Sequence, residues 1–259
     1  MILLFWNIAE YNVVGLFTKG HLLLASVTVI CILLALKLTS PRKKKDIHNM
    51  MKWIVIFIWV LEIWKIVYSV NLNSVYAVNT YIPLYYCSIL LYAGVLSSFG
   101  KNRLKRVGDV VLSAGTFIGG VVFLILPSTF LFFYPAFHLL SIHSFVYHGM
   151  MIYLGLLVNM NNYIKLKSGD AKYFVSLIFG MGIVAFVINK HFGSNLMFIS
   201  ANYDVFPIGD IYRLTNGGIL FTLIILLSHS ILPFYLTYFV RKLWRYILSS
   251  RKIMLKKSA

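Results

Sequence analysis

Acidic residues are scarce in this sequence: seven Asp and Glu stand against 24 Lys and Arg, for a formal net charge of +17. Cysteine is scarcer, with two in 259 residues, which excludes a disulfide framework. No Gly-rich phosphate loop occurs, so no soluble cofactor is expected. There is no low-complexity segment, no soluble domain and no convincing internal repeat. Gly119-Gly120 and Gly217-Gly218 come nearest to a matched pair. Their positions do not correspond, which counts against a pseudo-symmetric transporter. A basic balance can mean nucleic acid. Here the charge sits in short clusters between apolar stretches, the pattern of cytoplasmic loops, so no nucleic-acid partner is expected.

What is present is apolar surface. The chain is 60% hydrophobic, and spans of about 20 apolar residues are the unit of a bilayer protein. Seven such segments emerge, near 20–38, 53–70, 82–99, 107–127, 138–160, 172–189 and 216–240. The loop after the first carries Arg42, Lys43, Lys44, Lys45 and Lys52. The loop after the third carries Lys101, Arg103, Lys105 and Arg106, and the loop after the fifth Lys165, Lys167 and Lys172. Loops 71–81 and 128–137 hold no Lys or Arg. By the positive-inside rule, this alternation puts the N-terminus outside and the C-terminus in the cytoplasm. The expectation is an all-α, multi-pass protein of the cell membrane with seven transmembrane helices. One transmembrane domain spans 1–259: an interfacial segment 1–18, a seven-helix bundle 19–240 and a basic cytoplasmic tail 241–259. The first 20 residues lack a basic n-region and a small-residue cleavage site, so no cleavable signal is expected. Phe5, Trp6, Tyr11 and Phe17 with Glu10 and Lys19 fit a helix lying on the membrane surface. The tail, with Arg241, Lys242, Arg245, Arg251 and Lys252, fits anionic head groups, at about 1 kcal/mol per cation.

Ionisable groups inside spans are costly and are functional candidates by default. They are Glu62 and Lys65 in the second span, Cys87 in the third, His143 and His148 in the fifth, and His229 in the seventh, with Asp109 near the cytoplasmic end of the fourth. Cys87 lies roughly 8 Å below the outer boundary, His143 at a similar depth and His148 about 15 Å in. An imidazole can take the proton of a thiol and make it a nucleophile. A lipid acyl chain would lie beside such a pair. Equally, a buried cysteine can serve as a small hydrophobe. His143 and His148 are about 140° apart around a helix and cannot both aim at one point. Glu62 and Lys65 share a face at i, i+3 and can neutralise each other. Cys31 has no polar company and reads as structural. His138, His143 and His148 lack the i, i+4 spacing of a helical metal pair, so no metal is expected. The outer loop 190–217 mixes Asn195, Asn202, Asp204, Asp210 and Arg213 with Met197, Phe198, Phe206 and Tyr212. Loops of that length tend to be functional.

Several elements together carry a family resemblance: Gly20-His21, Glu62, 83-PLYYC-87, 143-HSFVYHG-149 and 195-NLMF-198. With them the chain resembles the YwaF-type integral membrane proteins of bacteria. Eukaryotic relatives of that family include the transmembrane acyltransferase that loads polyunsaturated acyl chains onto ether phospholipids. The resemblance implies a phospholipid acyltransferase or transacylase working through a thioester, with Cys87 as nucleophile and His148 as general base. His143 is the alternative base, and Asn195 shapes the site or donates to an oxyanion. Glu62, Tyr85 and Tyr86 complete the expected substrate-binding set. Partners would be membrane lipids, as acyl donor and lyso-lipid acceptor. The family's last element commonly reads Asn-Tyr-Met, and Leu196 stands here in place of the tyrosine. Two rivals share the same residues. A transporter or solute-binding component would depend on Glu62 and Lys65 and not on Cys87. A non-catalytic heptahelical protein would depend on neither Cys87 nor His148. The sequence carries no signature of oligomeric state.

Overall fold

The computed structural model describes residues 15–39, 43–71, 77–127, 134–203 and 207–257. The expected interfacial segment falls almost wholly outside them, as do Arg42 and residues 128–133. All regular secondary structure among the described residues is helical, with no strand. The helices are α1 (Lys19–Thr39), α2 (Lys44–Asn71), α3 (Ala77–Tyr81), α4 (Ile89–Phe99), α5 (Asn102–Ala114), α6 (Thr116–Ile125), α7 (Leu139–Met160), α8 (Ala171–Phe192), α9 (Ile208–Thr215) and α10 (Gly218–Lys257). Six stretches are long and apolar enough to cross a membrane, with α5 and α6 counted as one. The protein is therefore a multi-pass membrane protein.

The expected third span differs from the other six. Its helical part is Tyr86–Phe99, a 3₁₀ turn (Tyr86–Ser88) leading into α4. At 1.5 Å per residue it covers about 21 Å, short of the roughly 30 Å hydrocarbon core. Pro83 explains the shortening, because proline lacks an N–H and keeps the residue before it out of the helical region. The non-helical approach is pinned from inside: the Tyr92 hydroxyl donates to the Pro83 carbonyl at 3.0 Å. Cys87 consequently sits in the first turn of the helix.

The centre of the bundle is α7. It has the lowest mean hydropathy of the six spans and the largest buried share. Those two facts are linked: a helix walled by protein on all sides can carry Ser141, His143, Ser144, Tyr147 and His148 without presenting them to lipid. By contrast α1 buries only His21, Ile32 and Leu36 and exposes Leu22, Leu23, Ile30, Leu33 and Leu34. It is held by polar ties at both ends. His21 Nδ1 accepts from the Phe17 N–H at 3.0 Å, and Nε2 lies 2.9 Å from the Leu124 carbonyl. The Tyr153 hydroxyl donates to Thr39 at 3.0 Å. His21, part of the quoted family pattern, is thus a helix clamp.

Small residues set the close packing, as expected where lipid removes the hydrophobic drive between helices. A Cβ at Gly108 would lie 2.3 Å from the Ser97 nitrogen, so α4 and α5 meet backbone to backbone. A Cβ at Gly120 would lie 2.8 Å from the His148 carbonyl oxygen, which brings α6 just as close to α7. The last helix, α10, runs unbroken past the expected end at 240 through Pro233 to Lys257.

Candidate functional site

Side-chain contacts fix the register of α2 against α7. Tyr68 meets His138 at 6.1 Å between ring centres, and Trp64 meets His143 at 6.2 Å. Near the other end His48 Nδ1 reaches the Tyr163 hydroxyl at 3.2 Å. The helices are antiparallel, and the polar groups of α2 and α7 line one seam. Glu62 and Lys65 form an ion pair in this seam, with side chains 5% and 14% exposed. The expected mutual neutralisation at i, i+3 is realised.

The turn carrying Cys87 abuts the same seam. The Tyr147 hydroxyl donates to the Cys87 carbonyl at 3.3 Å. The charged groups that act on the Cys87 thiol are Glu62 and Lys65, and Cys87, Glu62 and Tyr92 act on the Tyr147 phenol. Tyr147, bonded to the Cys87 carbonyl, and the Glu62–Lys65 pair are the polar groups that bear on this turn. Cys31 lies apart on the lipid-facing side of α1, and both thiols are free.

The two imidazoles face different neighbours, as their angular offset requires. His143 lies one turn from Tyr147 on the same face, with ring centres 6.0 Å apart. Its electrostatic neighbours are Lys65 and then His148, with the Leu61 backbone beside the ring, and among the described residues neither buried ring nitrogen makes a well-formed hydrogen bond. His148 turns to the opposite side of Tyr147. Its ring stacks on Phe123 at 3.6 Å and 5°, and its Nδ1 is 2.7 Å from the Ser144 carbonyl. That contact places the proton on Nδ1 and leaves Nε2 an acceptor. Among the described residues no hydrogen bond joins the Cys87 thiol to either imidazole.

Tyr85 and Tyr86 flank the thiol on two other sides. Tyr85 packs on Phe198 at 5.2 Å, and Phe198 on Tyr203 at 4.4 Å. Tyr86 stacks on His229 at 5.1 Å, over Gly119, whose added Cβ would meet the ring at 3.0 Å. The Tyr86 hydroxyl and His229 Nδ1 are buried without hydrogen-bond partners among the described residues.

Asn195 organises the turn that brings Phe198 to Tyr85. Its Oδ1 accepts from the N–H groups of Ser200 (3.1 Å) and Ala201 (3.0 Å), and its Nδ2 donates to the Ala201 carbonyl at 3.1 Å. Asn189 holds the same turn from α8, accepting from the Leu196 N–H at 2.7 Å and donating to the Leu196 carbonyl at 3.0 Å. Inside the turn, Met197 and Phe198 both take the left-handed conformation, each at φ 56. Left-handed backbone at bulky residues costs energy and concentrates near functional sites. Leu196, inside the turn, is fully buried.

A second polar network lies at the basic end, where the sequence had marked only Asp109. Lys105 donates to both Asp109 oxygens (2.9 and 3.1 Å), to the Ser97 carbonyl (3.2 Å) and to the Tyr163 hydroxyl oxygen (3.0 Å). Burial raises the Tyr163 phenol above its ordinary value, against the pull of Lys105, so it stays neutral. Arg106 pairs with Asp170. Arg241 donates to Ser113 at 2.7 Å and to the Ile164 carbonyl at 3.0 Å. These bonds tie α5 to the segment after α7, to the start of α8 and to α10.

A family model, that of the TMEM164 family, matches residues 16–246. The chain belongs to the TMEM164 family. The match spans every residue of the Cys87 cluster, the Asn195 turn and the basic-end network. No curated protein and no solved structure matches the chain.

Proposed function

We propose that the protein is an integral phospholipid acyltransferase, or transacylase, of the cell membrane that carries the acyl group on Cys87 as a thioester. The observation that carries this reading is the Tyr147 bridge: it holds the Cys87 turn against the one face of α7 that also presents His143, whose two ring nitrogens are buried. Family membership and the resemblance to YwaF-type proteins and their acyltransferase relatives support it.

His143 is the base in this scheme. It takes the thiol proton, and the thiolate attacks the ester carbonyl of a donor phospholipid. The C–S bond forms, the ester C–O bond breaks, and the lyso-lipid leaves with the proton from His143. A lyso-lipid hydroxyl then attacks the thioester, giving its proton to His143, which returns it to sulfur. A rotation of the thiol and the imidazole brings them into contact when lipid enters, as catalytic hydrogen bonds often tighten only in the complex. Tyr85, Tyr86 and the 190–215 loop frame a lateral entrance from the outer leaflet, and Asn195 shapes it through the turn. Glu62 completes the site beside the thiol.

The test is transfer of labelled acyl chains from phospholipid to lyso-lipid by purified protein in nanodiscs. Cys87→Ser abolishes transfer, and His143→Ala lowers it about 10²- to 10⁴-fold, the usual worth of a general base. His148→Ala lowers it far less. The opposite ranking of the two histidines moves the base to His148. Undiminished transfer in Cys87→Ser refutes the thioester.

A further inference from the structure

The inward face of α10 ends in charge. Ser230 and Phe234 are fully buried, and the Thr237 hydroxyl donates to the Ala114 carbonyl at 2.9 Å. Arg241 and Arg245 continue that line at steps of four, so they fall on the face that packs on the bundle. A tail lying along the membrane surface would turn Arg241 outward. Instead its guanidinium points between the end of α5 and the segment after α7, donating to Ser113 at 2.7 Å and to the Ile164 carbonyl at 3.0 Å. Arg245, one turn on, donates to Asn162 Oδ1 at 3.3 Å. Both cations thus rest on residues 162–164.

Neither has a counter-charge there. Every acceptor just named is neutral, and among the described residues no carboxylate pairs with Arg241 or Arg245. The carboxylates of this end are taken, Asp109 by Lys105 and Asp170 by Arg106. The charged group that acts on Arg241 is Arg245, of the same sign. Like charges at i, i+4 repel, and withdrawing a guanidinium from water without an anion is costly. Arg241 is half-buried and Arg245 exposed, so the pair runs from the bundle out to an open mouth. Among the described residues Arg241 spends two N–H groups on these bonds and Arg245 one, so most of each five-donor fork is available.

The depth indicates whose anion fits. Trp244 and Tyr246, 63% and 69% exposed, stand on the same turn, and Trp and Tyr at the end of a span sit at head-group level. The planar fork of arginine matches phosphate oxygens, and basic pockets between transmembrane helices take anionic head groups.

We propose that Arg241 and Arg245 form a discrete binding site for the phosphate of an anionic phospholipid in the leaflet at the basic end of the bundle. The phosphate sits between the two guanidiniums, cancels their repulsion and fastens α10 to residues 162–164. The site lies at the opposite end of α7 from His143 and owes nothing to the acyl-transfer reading.

Native mass spectrometry of the purified protein reads the bound lipid, with dioleoyl phosphatidylglycerol and the zwitterionic dioleoyl phosphatidylcholine in competition. Wild type prefers phosphatidylglycerol by about tenfold or more, the worth of a charge-assisted hydrogen bond. Arg241→Gln erases the preference and Arg241→Lys keeps part of it, which separates a lost charge from a lost fold. Arg245→Gln lowers the preference about fivefold. Arg245 is exposed and makes one bond, so this variant keeps the fold and tests the site even where Arg241→Gln is unstable. Lys242→Gln is the control: Lys242 is exposed beside Arg241, and its loss leaves the preference intact. Equal losses in Lys242→Gln and Arg245→Gln show diffuse attraction to the tail and overturn the site. An Arg241→Gln protein that still prefers phosphatidylglycerol overturns it too. Displacement of phosphatidylglycerol by millimolar inorganic phosphate as readily as by added lipid overturns the lipid assignment in favour of free phosphate.

Discussion

Asn195 shows what a single side chain can decide. Its amide satisfies two backbone N–H groups and one carbonyl in the turn that carries Phe198 to Tyr85. Asn195→Ala leaves those groups unpaired, and the cost is about 2 kcal/mol. Asn195→Asp keeps both accepted bonds and loses only the donated one, so it costs less than half of that. Thermal melts of the two variants in detergent check the order, and equal melts contradict it. The sequence pointed to Asn195 through the family pattern and its place in a long outer loop. Its job could not be read there, because the partners at 200 and 201 and the left-handed pair Met197–Phe198 are properties of a folded turn. Tyr147 was legible in principle: it is four residues from His143, and i, i+4 residues share a helix face. Ranking the two imidazoles needed to see which side of Tyr147 each one faces.

At the scale of elements, periodicity and hydropathy located six spans well and misjudged the third. An apolar count over 82–99 cannot register that Pro83 delays the helix to Tyr86. The contact of α4 with α5 also hides in the sequence, since Gly108 looks like an ordinary glycine in a helix. Its added Cβ would meet the Ser97 nitrogen at 2.3 Å and the Ala93 carbonyl oxygen at 2.6 Å, both backbone atoms that cannot swing aside. Gly108→Ala forces the hairpin apart and costs about 2–3 kcal/mol, within the range of overpacking. Gly180→Ala is the control: nothing lies within 4 Å of that added Cβ. Its stability is unchanged or slightly raised, since alanine is the better helix former. Detergent melts of the pair decide, and a Gly108→Ala variant as stable as Gly180→Ala contradicts the packing.

For the whole molecule, charge segregation was the clearest message of the sequence. The structure gathers Lys105, Arg106, Arg241 and Arg245 at one end through their bonds to Tyr163, Asp170, Ile164 and Asn162. Which compartment that end faces follows from the positive-inside rule and has a direct check. In a Cys31→Ser, Cys87→Ser background, Lys167→Cys resists a membrane-impermeant maleimide in intact cells and reacts after lysis, while Asn202→Cys reacts in both. The reverse pattern inverts the topology and moves the Cys87 site to the inner leaflet. The segment that opens the chain, which the sequence assigns to the membrane surface, lies outside the described residues.

The central claim is covalent: an acyl group rests on Cys87. Intact-mass spectrometry of the purified protein after incubation with phospholipid tests it most directly. The expected result is an added acyl mass on wild type that hydroxylamine removes, that Cys87→Ser never acquires and that His143→Ala acquires slowly. A wild-type protein that stays unmodified in every phospholipid mixture, or an adduct that survives Cys87→Ser, contradicts the account.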